Sequence, residues 1–173
     1  GIDGISIQGS KVVMDKPRLS GFKRDGRSYE LTATTATQDL KTPNVVDLNQ
    51  LTARMQTGND GWANLSGARG VYDSKAERLE VGGGLTVKTE TGVDARLRDA
   101  MIEFKTGTIV TENPVEVRMS QGQVDSERMQ VLDNGRVLVF EGRVRSTFVN
   151  ATPVGAAKDA RGAGSAARQE RED

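Results

Sequence analysis

The residues whose types and spacing could do chemistry are acidic. Asp73 lies close in sequence to Glu77 and Glu80, and Asp94 to Asp99. Two carboxyl groups flanking a scissile bond, one protonated and one ionised, are what glycoside hydrolysis needs. Both groups of acids stand among lysines and arginines, in polar turns or on wet strand faces, so solvated surface charge is the expectation for them. Trp62 would serve such a site as a sugar platform, but one Trp beside a Gly-rich turn reads as cover for a core edge. Gly82-Gly83-Gly84 invites comparison with a phosphate loop, which requires a helix N-terminus directly downstream to supply aligned amides. Leu85-Thr86-Val87-Lys88-Thr89 continues as a strand instead, so a turn or bulge at a sheet corner is expected there.

The 173 residues contain no Cys and no His. The usual zinc and copper sites and nucleophilic catalysis by Cys or His are thereby removed. No catalytic residue, metal site or cofactor is expected. Charge is balanced, with 24 basic and 24 acidic residues, so no long-range field favours nucleic acid. Lack of cysteine leaves the redox compartment open. No apolar run approaches the roughly 18 residues of a membrane helix.

The elements that must position any site are strands. Val115, Val117 and Met119 alternate with Glu116, Arg118 and Ser120, and Val93, Ala95 and Leu97 with Asp94, Arg96 and Arg98. Leu85 and Val87 flank Thr86, Ile102 and Phe104 flank Glu103, and Val144, Ser146 and Phe148 alternate with Arg143, Arg145 and Thr147. A period of two with one dry face describes half-buried antiparallel strands. Turn signals at Asp25-Gly26, Asn59-Asp60-Gly61, Thr106-Gly107, Asn113-Pro114, Gln121-Gly122 and Asp133-Asn134-Gly135 separate them. With 20 glycines and 4% aromatics, the chain suits many turns around a thin core. The fold class is all-β.

Residues 45–55 also fit a helical stripe through Val45, Leu48, Thr52 and Met55, with Asn44 as a cap; a strand is the expectation because both neighbours are strands. Residues 150–173, rich in Ala, Gly and charge, are expected to be a disordered tail behind a single domain over 1–149; a short Ala-rich helix is the competing reading, weakened by Gly162 and Gly164. A faint repeat places Leu85 and Val87, Val115 and Val117, and Val144 and Ser146 at intervals of 30 and 29 residues. Stacked hairpins would produce such an echo, and so would any meander.

Residues 12–39, VVMDKPRLSGFKRDGRSYELTATTATQD, resemble the membrane-proximal part of the LptC family of lipopolysaccharide exporter subunits. The resemblance rests on Pro17, Arg18, Leu19, Ser20 and Gly21, then Asp25-Gly26, then Tyr29, Leu31 and Ala33. Residues 67–92, GARGVYDSKAERLEVGGGLTVKTETG, resemble the repeating hairpin of the OstA-like fold shared by LptA, LptC and the N-terminal part of LptD; 136–148, RVLVFEGRVRSTF, resemble its closing strands. The resemblance covers nearly the whole body but through no single specific motif.

What it implies is a twisted, open β-jellyroll of consecutive hairpins that carries lipopolysaccharide without chemistry of its own. A transmembrane helix ahead of Gly1 would anchor it to the inner membrane, with the domain in the periplasm. The N-terminal edge would dock on the LptF/LptG part of the ABC transporter and the C-terminal edge on an LptA-like bridge. Open edges can serve strand addition; here the candidates are Ile5, Ile7, Val12 and Val13 at one end, and Val139, Val144, Ser146 and Phe148 at the other. The interior face would comprise Leu31, Ala33, Leu48, Leu65, Leu79, Val81, Leu85, Val87, Ile102, Phe104, Val115, Val117 and Val137. Which of these line a lipid groove and which fill a core stays open at this level. The basic residues Lys11, Lys16, Arg18, Lys23, Arg24 and Arg27 suit phosphorylated lipid heads or an anionic membrane surface. A soluble LptA-like bridge and a carbohydrate-active β-solenoid enzyme are the alternatives.

Overall fold

Long runs of alternating side chains with turn residues between them leave the backbone one economical solution, neighbour-to-neighbour antiparallel pairing. A computed structural model describes residues 4–58 and 61–149 of the chain. They form strands β1 (Ile5–Gln8), β2 (Lys11–Asp15), β3 (Arg18–Phe22), β4 (Ser28–Asp39), β5 (Val45–Thr57), β6 (Gly61–Asp73), β7 (Arg78–Thr89), β8 (Asp94–Leu97), β9 (Ala100–Glu103), β10 (Thr108–Thr111), β11 (Val115–Met119), β12 (Gly122–Ser126), β13 (Arg128–Leu132), β14 (Val137–Glu141) and β15 (Arg145–Phe148). A 3-10 turn, Asp133–Gly135, joins β13 to β14. All pairing is antiparallel. No helix among the described residues is long and apolar enough to cross a membrane. The expected tail, 150–173, lies outside the described residues, as do Asn59 and Asp60 of one expected turn.

Residues 45–55 are strand, not helix: β5 pairs along its length with β4 and β6. Its alternation buries Val46, Leu48, Leu51, Ala53 and Met55 and exposes residues between them. A helix would have shown these apolar residues to one stripe only, whereas a strand between two partners satisfies every backbone group as well.

The sheet is folded along a corner, which gives the jellyroll its two leaves. The first leaf runs β1-β2-β4-β5-β6-β7-β9-β10-β13-β14, and the second runs β3-β4-β5-β6-β7-β8-β11-β12-β15. Strands β4 to β7, 12 or 13 residues long, cross from one leaf to the other. Their pairing lapses at Thr34, Gln50 and Ala68, and the β6–β7 register shifts between Gly67 and Arg69. Gln50 adopts φ 51°, and Gly83 and Gly84 adopt 78° and 93°. The three-glycine run is therefore a corner bulge within β7, the place where a positive φ bends a strand at little cost. Farther along, the corner falls in connections: at Arg98-Asp99, where Arg98 accepts a hydrogen bond from Gly84 N–H, at Asn113-Pro114, at Glu127, and at Gly142-Arg143. Asn113-Pro114 is thus a crossing between leaves, not a hairpin. Two crossings span about 30 residues, which is the physical origin of the echo in the sequence.

The core lies between the leaves. Leu48, Leu79, Val81, Ala100, Ile102 and Met129 come from the first, and Leu31, Leu51, Ala53, Leu65, Leu85, Ala95, Leu97, Val115 and Val117 from the second. The contact is close near Gly70, where a Cβ would sit 2.5 Å from Leu51 Cδ2 and 3.0 Å from Leu79 Cδ1. Gly70→Ala is expected to cost about 1–3 kcal/mol through overpacking, read as a lower urea midpoint; an unchanged midpoint would show that the leaves part freely.

Candidate functional site

Opposite the corner the leaves end in turns, and there the apolar filling is incomplete. A cavity of about 340 Å³ opens between them. Met55, Val87 and Val117 of the second leaf face Ile109, Met129 and Val131 of the first across it. The turns at its mouth contribute Gly58, Glu90, Gly107, Asn134 and Arg136. Trp62 sits half-buried on the rim with the Arg54 guanidinium 4.3 Å from its ring centroid, a cation–π contact that holds the indole against the cavity wall.

Of the charged residues that border this space, one is buried. Lys23, at the start of the β3–β4 turn, is 4% exposed and lines the cavity. Its backbone N–H donates to Arg27 O, and the neighbouring Arg24 N–H donates to Lys105 O, which ties the turn to the first leaf. Asp25 is engaged by Arg27 through both its backbone N–H and its guanidinium. The Lys23 ammonium makes no hydrogen bond or ion pair with any described residue. Burial pushes its pKa below the ordinary lysine value, a fall that Asp25 opposes and Arg27 reinforces.

The side of the roll next to Lys23 is shut by an aromatic clasp. Phe104, fully buried after β9, stacks on Tyr29 of the second leaf with centroids 4.1 Å apart, and meets Tyr72 of the first edge-on at 6.2 Å. Tyr72 Oη donates to Tyr29 Oη at 2.9 Å, and Tyr29 Oη donates to the Glu77 carboxylate. Lys105 Nζ lies 3.3 Å from Glu77. Burial first, then the bonds to Glu77 and Tyr72, pushes the Tyr29 phenol far above its usual pKa, so it stays a donor. Glu77 is therefore not simply a solvated acid. Asp99 departs from that expectation too: it accepts from Asn113 Nδ2 at 2.6 Å and Thr111 Oγ1 at 3.4 Å, latching successive crossings at the corner. Asp73 caps the β6–β7 turn by accepting from Lys75 and Ala76 N–H.

The expected interior residues divide. Val87 and Val117 line the cavity. Leu31, Leu48, Leu65, Leu79, Val81, Leu85, Ile102, Phe104 and Val115 are buried in the core, and Ala33 packs partly buried against it. Val137 is a correction: it is 43% exposed because it lies on the outward face of β14 beside Leu132, while Leu138 and Phe140, beside Val131 and Met129, take the inward face. Met55, Ile109 and Met129 went unrecognised as cavity residues although each carried an alternation signal; the sequence presents Lys23 only as one of six basic residues suited to phosphorylated heads, and nothing in its local sequence marks it for burial.

The ends of the roll are rims. Among the described residues β1, β3, β14 and β15 each pair on one side. Asp15 N–H bonds Gly4 O, so the register turns the backbone groups of Ile5 and Ile7 outward. Val149 N–H bonds Gln121 O, which leaves those of Ser146 and Phe148 pointing out. Glu127 N–H bonds Gly142 O, which does the same for Val139. Val12 and Val13 are corrected: β2 lies between β1 and β4 and its bonding is complete. Val144 is corrected too, since it lies in the connection before β15, where Arg143 has φ 45°. The rims concentrate apolar exposure: of the exposed large apolar residues, only Leu40, Val71 and Met101 lie away from the rim strands and the residues flanking them.

No curated protein matches the chain. The family model described as "Lipopolysaccharide-assembly, LptC-related" matches residues 6–149, which run from the first rim strand to the residue after the last. A folded two-leaf jellyroll with an apolar interior and open rims, matched over nearly all of its described residues, places this chain in the LptC-related family of lipopolysaccharide-assembly proteins.

Proposed function

We propose that this chain is a periplasmic transport module without catalytic activity, which receives lipopolysaccharide from an inner-membrane LptBFG transporter and passes it to an LptA-like bridge. The single observation that carries this reading is the cavity between the lips of the two leaves, apolar on both walls and reached from the turn side. Acyl chains entering it would gain about 0.8 kcal/mol per buried methylene. At about 340 Å³ it lies near the small end of ligand pockets, of about 300–1,000 Å³. A lipid of several chains therefore occupies it in part, or parts the lips on entry. The N-terminal rims, β1 and β3, are suited to the transporter, and the C-terminal rims, β14 and β15, to the bridge. Both ends offer outward backbone groups beside exposed apolar side chains, with Ile7 67% and Phe22 69% exposed at one end.

A photocrosslinking residue at Val117 or Val87 is expected to capture lipopolysaccharide during ATP-driven transport, whereas one at the exposed Val71, outside the leaves, is not. Equal capture at Val71 and Val117, or none at Val117, would remove the cavity from the lipid's path. Phe104 is the wrong place for such a probe, because a bulky group there would open the clasp.

A further inference from the structure

We propose that Lys23 is an anion anchor at the cavity mouth, where it pairs with the phosphate or other anionic head group of an amphiphile whose acyl chain lies between Val87, Val117 and Ile109. The inference rests on reading the cavity as a lipid path and names the residue that would recognise the ligand's charged end.

Three observations carry it. Lys23 is 4% exposed and lines a mainly apolar space. Among the described residues its ammonium has no hydrogen-bonding partner, and it is absent from the buried polar atoms sealed from solvent, so it retains access to the space it borders. The carboxylate nearest in sequence, Asp25, is committed to Arg27. A buried ammonium that no described acceptor hydrogen-bonds is costly, Asp25 acting on it only at a distance, and binding an anion would reduce that cost. The other charged groups of the lining differ. Glu90 and Arg136 are exposed, and Arg136 lies 3.8 Å from Asp133. A chain inserted among the apolar residues with its head at Lys23 therefore fits the distribution of charge. A free inorganic anion would find one cation and a dry wall.

The test uses the chain of residues 1–173, with Trp62 fluorescence on the cavity rim as the signal, and three probes below micellar concentration: dodecyl phosphate, dodecyl maltoside and inorganic phosphate. Lys23→Met keeps volume and removes charge. The expected result is a loss of about tenfold in dodecyl phosphate affinity, unchanged dodecyl maltoside affinity, and recovery in Lys23→Arg. Inorganic phosphate should not compete. Equal losses for both detergents would make Lys23 a shape-determining residue and overturn the proposal, as would no loss for either. Competition by inorganic phosphate would identify a free-anion site instead. If neither detergent binds the unaltered protein, the cavity reading itself fails. Should Lys23→Met not fold, NMR of the 13C-dimethylated lysines in the unaltered protein decides: the Lys23 signal should move with dodecyl phosphate and not with dodecyl maltoside. The reverse pattern, or no movement, overturns the assignment.

Discussion

Phe104→Ala is expected to lower the free energy of unfolding by about 3–5 kcal/mol, the range for removing a large aromatic from a packed core. Phe104 has no solvent exposure and touches both leaves through Tyr29 and Tyr72. Its removal leaves a void that two tyrosines cannot fill without breaking the chain of bonds from Tyr72 through Tyr29 to Glu77. A domain of this size has about 5–15 kcal/mol of stability in total, so the variant should unfold at a much lower denaturant concentration. Phe104→Leu, which keeps most of the volume, should lose much less. Urea unfolding followed by circular dichroism reads both. If Phe104→Ala costs under about 1 kcal/mol, well below the core range, the leaves are not held together by the clasp.

Ser146→Pro should weaken capture of an LptA-like partner by at least about tenfold, the cost of losing one or two interstrand hydrogen bonds plus a steric block, while leaving the domain folded. The ladder between β12 and β15 turns the Ser146 N–H away from β12, so proline there breaks no internal bond. It removes an outward donor and sets a ring where an added strand would lie. Thr147→Pro is the control. Its N–H faces β12, and the substitution should detach β15 and lower stability. Pull-down of the partner with thermal melts of each variant separates the outcomes. Normal capture by a folded Ser146→Pro protein would show that the bridge does not dock on this rim.

Much of this architecture was legible in the chain because a strand declares itself locally. In β8 and β11 the alternation alone identified Ala95, Leu97, Val115 and Val117 as the dry side, and all four are buried. The glycines at 82–84 announced a corner because the segment following them was strand-like, and the bulge is there. The same rule failed on β15, whose alternating Ser146 and Phe148 have no dry face, since every residue of that strand is exposed. Val137 failed differently: β14 has an inward face, but Leu138 and Phe140 occupy it. Period two states that two faces differ, but not that anything covers one of them.

By itself, the sequence determined the strands, most of their turns, the identity of the family and the ends at which rims would lie. Each depends on interactions between residues near one another in the chain, or on a pattern that such interactions preserve. Only the tertiary structure decided which apolar residues fill the core and which border open space, because that depends on how far the two leaves separate beyond the corner. It likewise enclosed Val12 and Val13 between β1 and β4, joined Glu77 to Tyr29, and brought Lys23 to the wall of the same cavity as Met55 and Val117. Those neighbours come together across tens of residues when the sheet folds on itself, and no local period encodes what a side chain will meet on the opposite leaf.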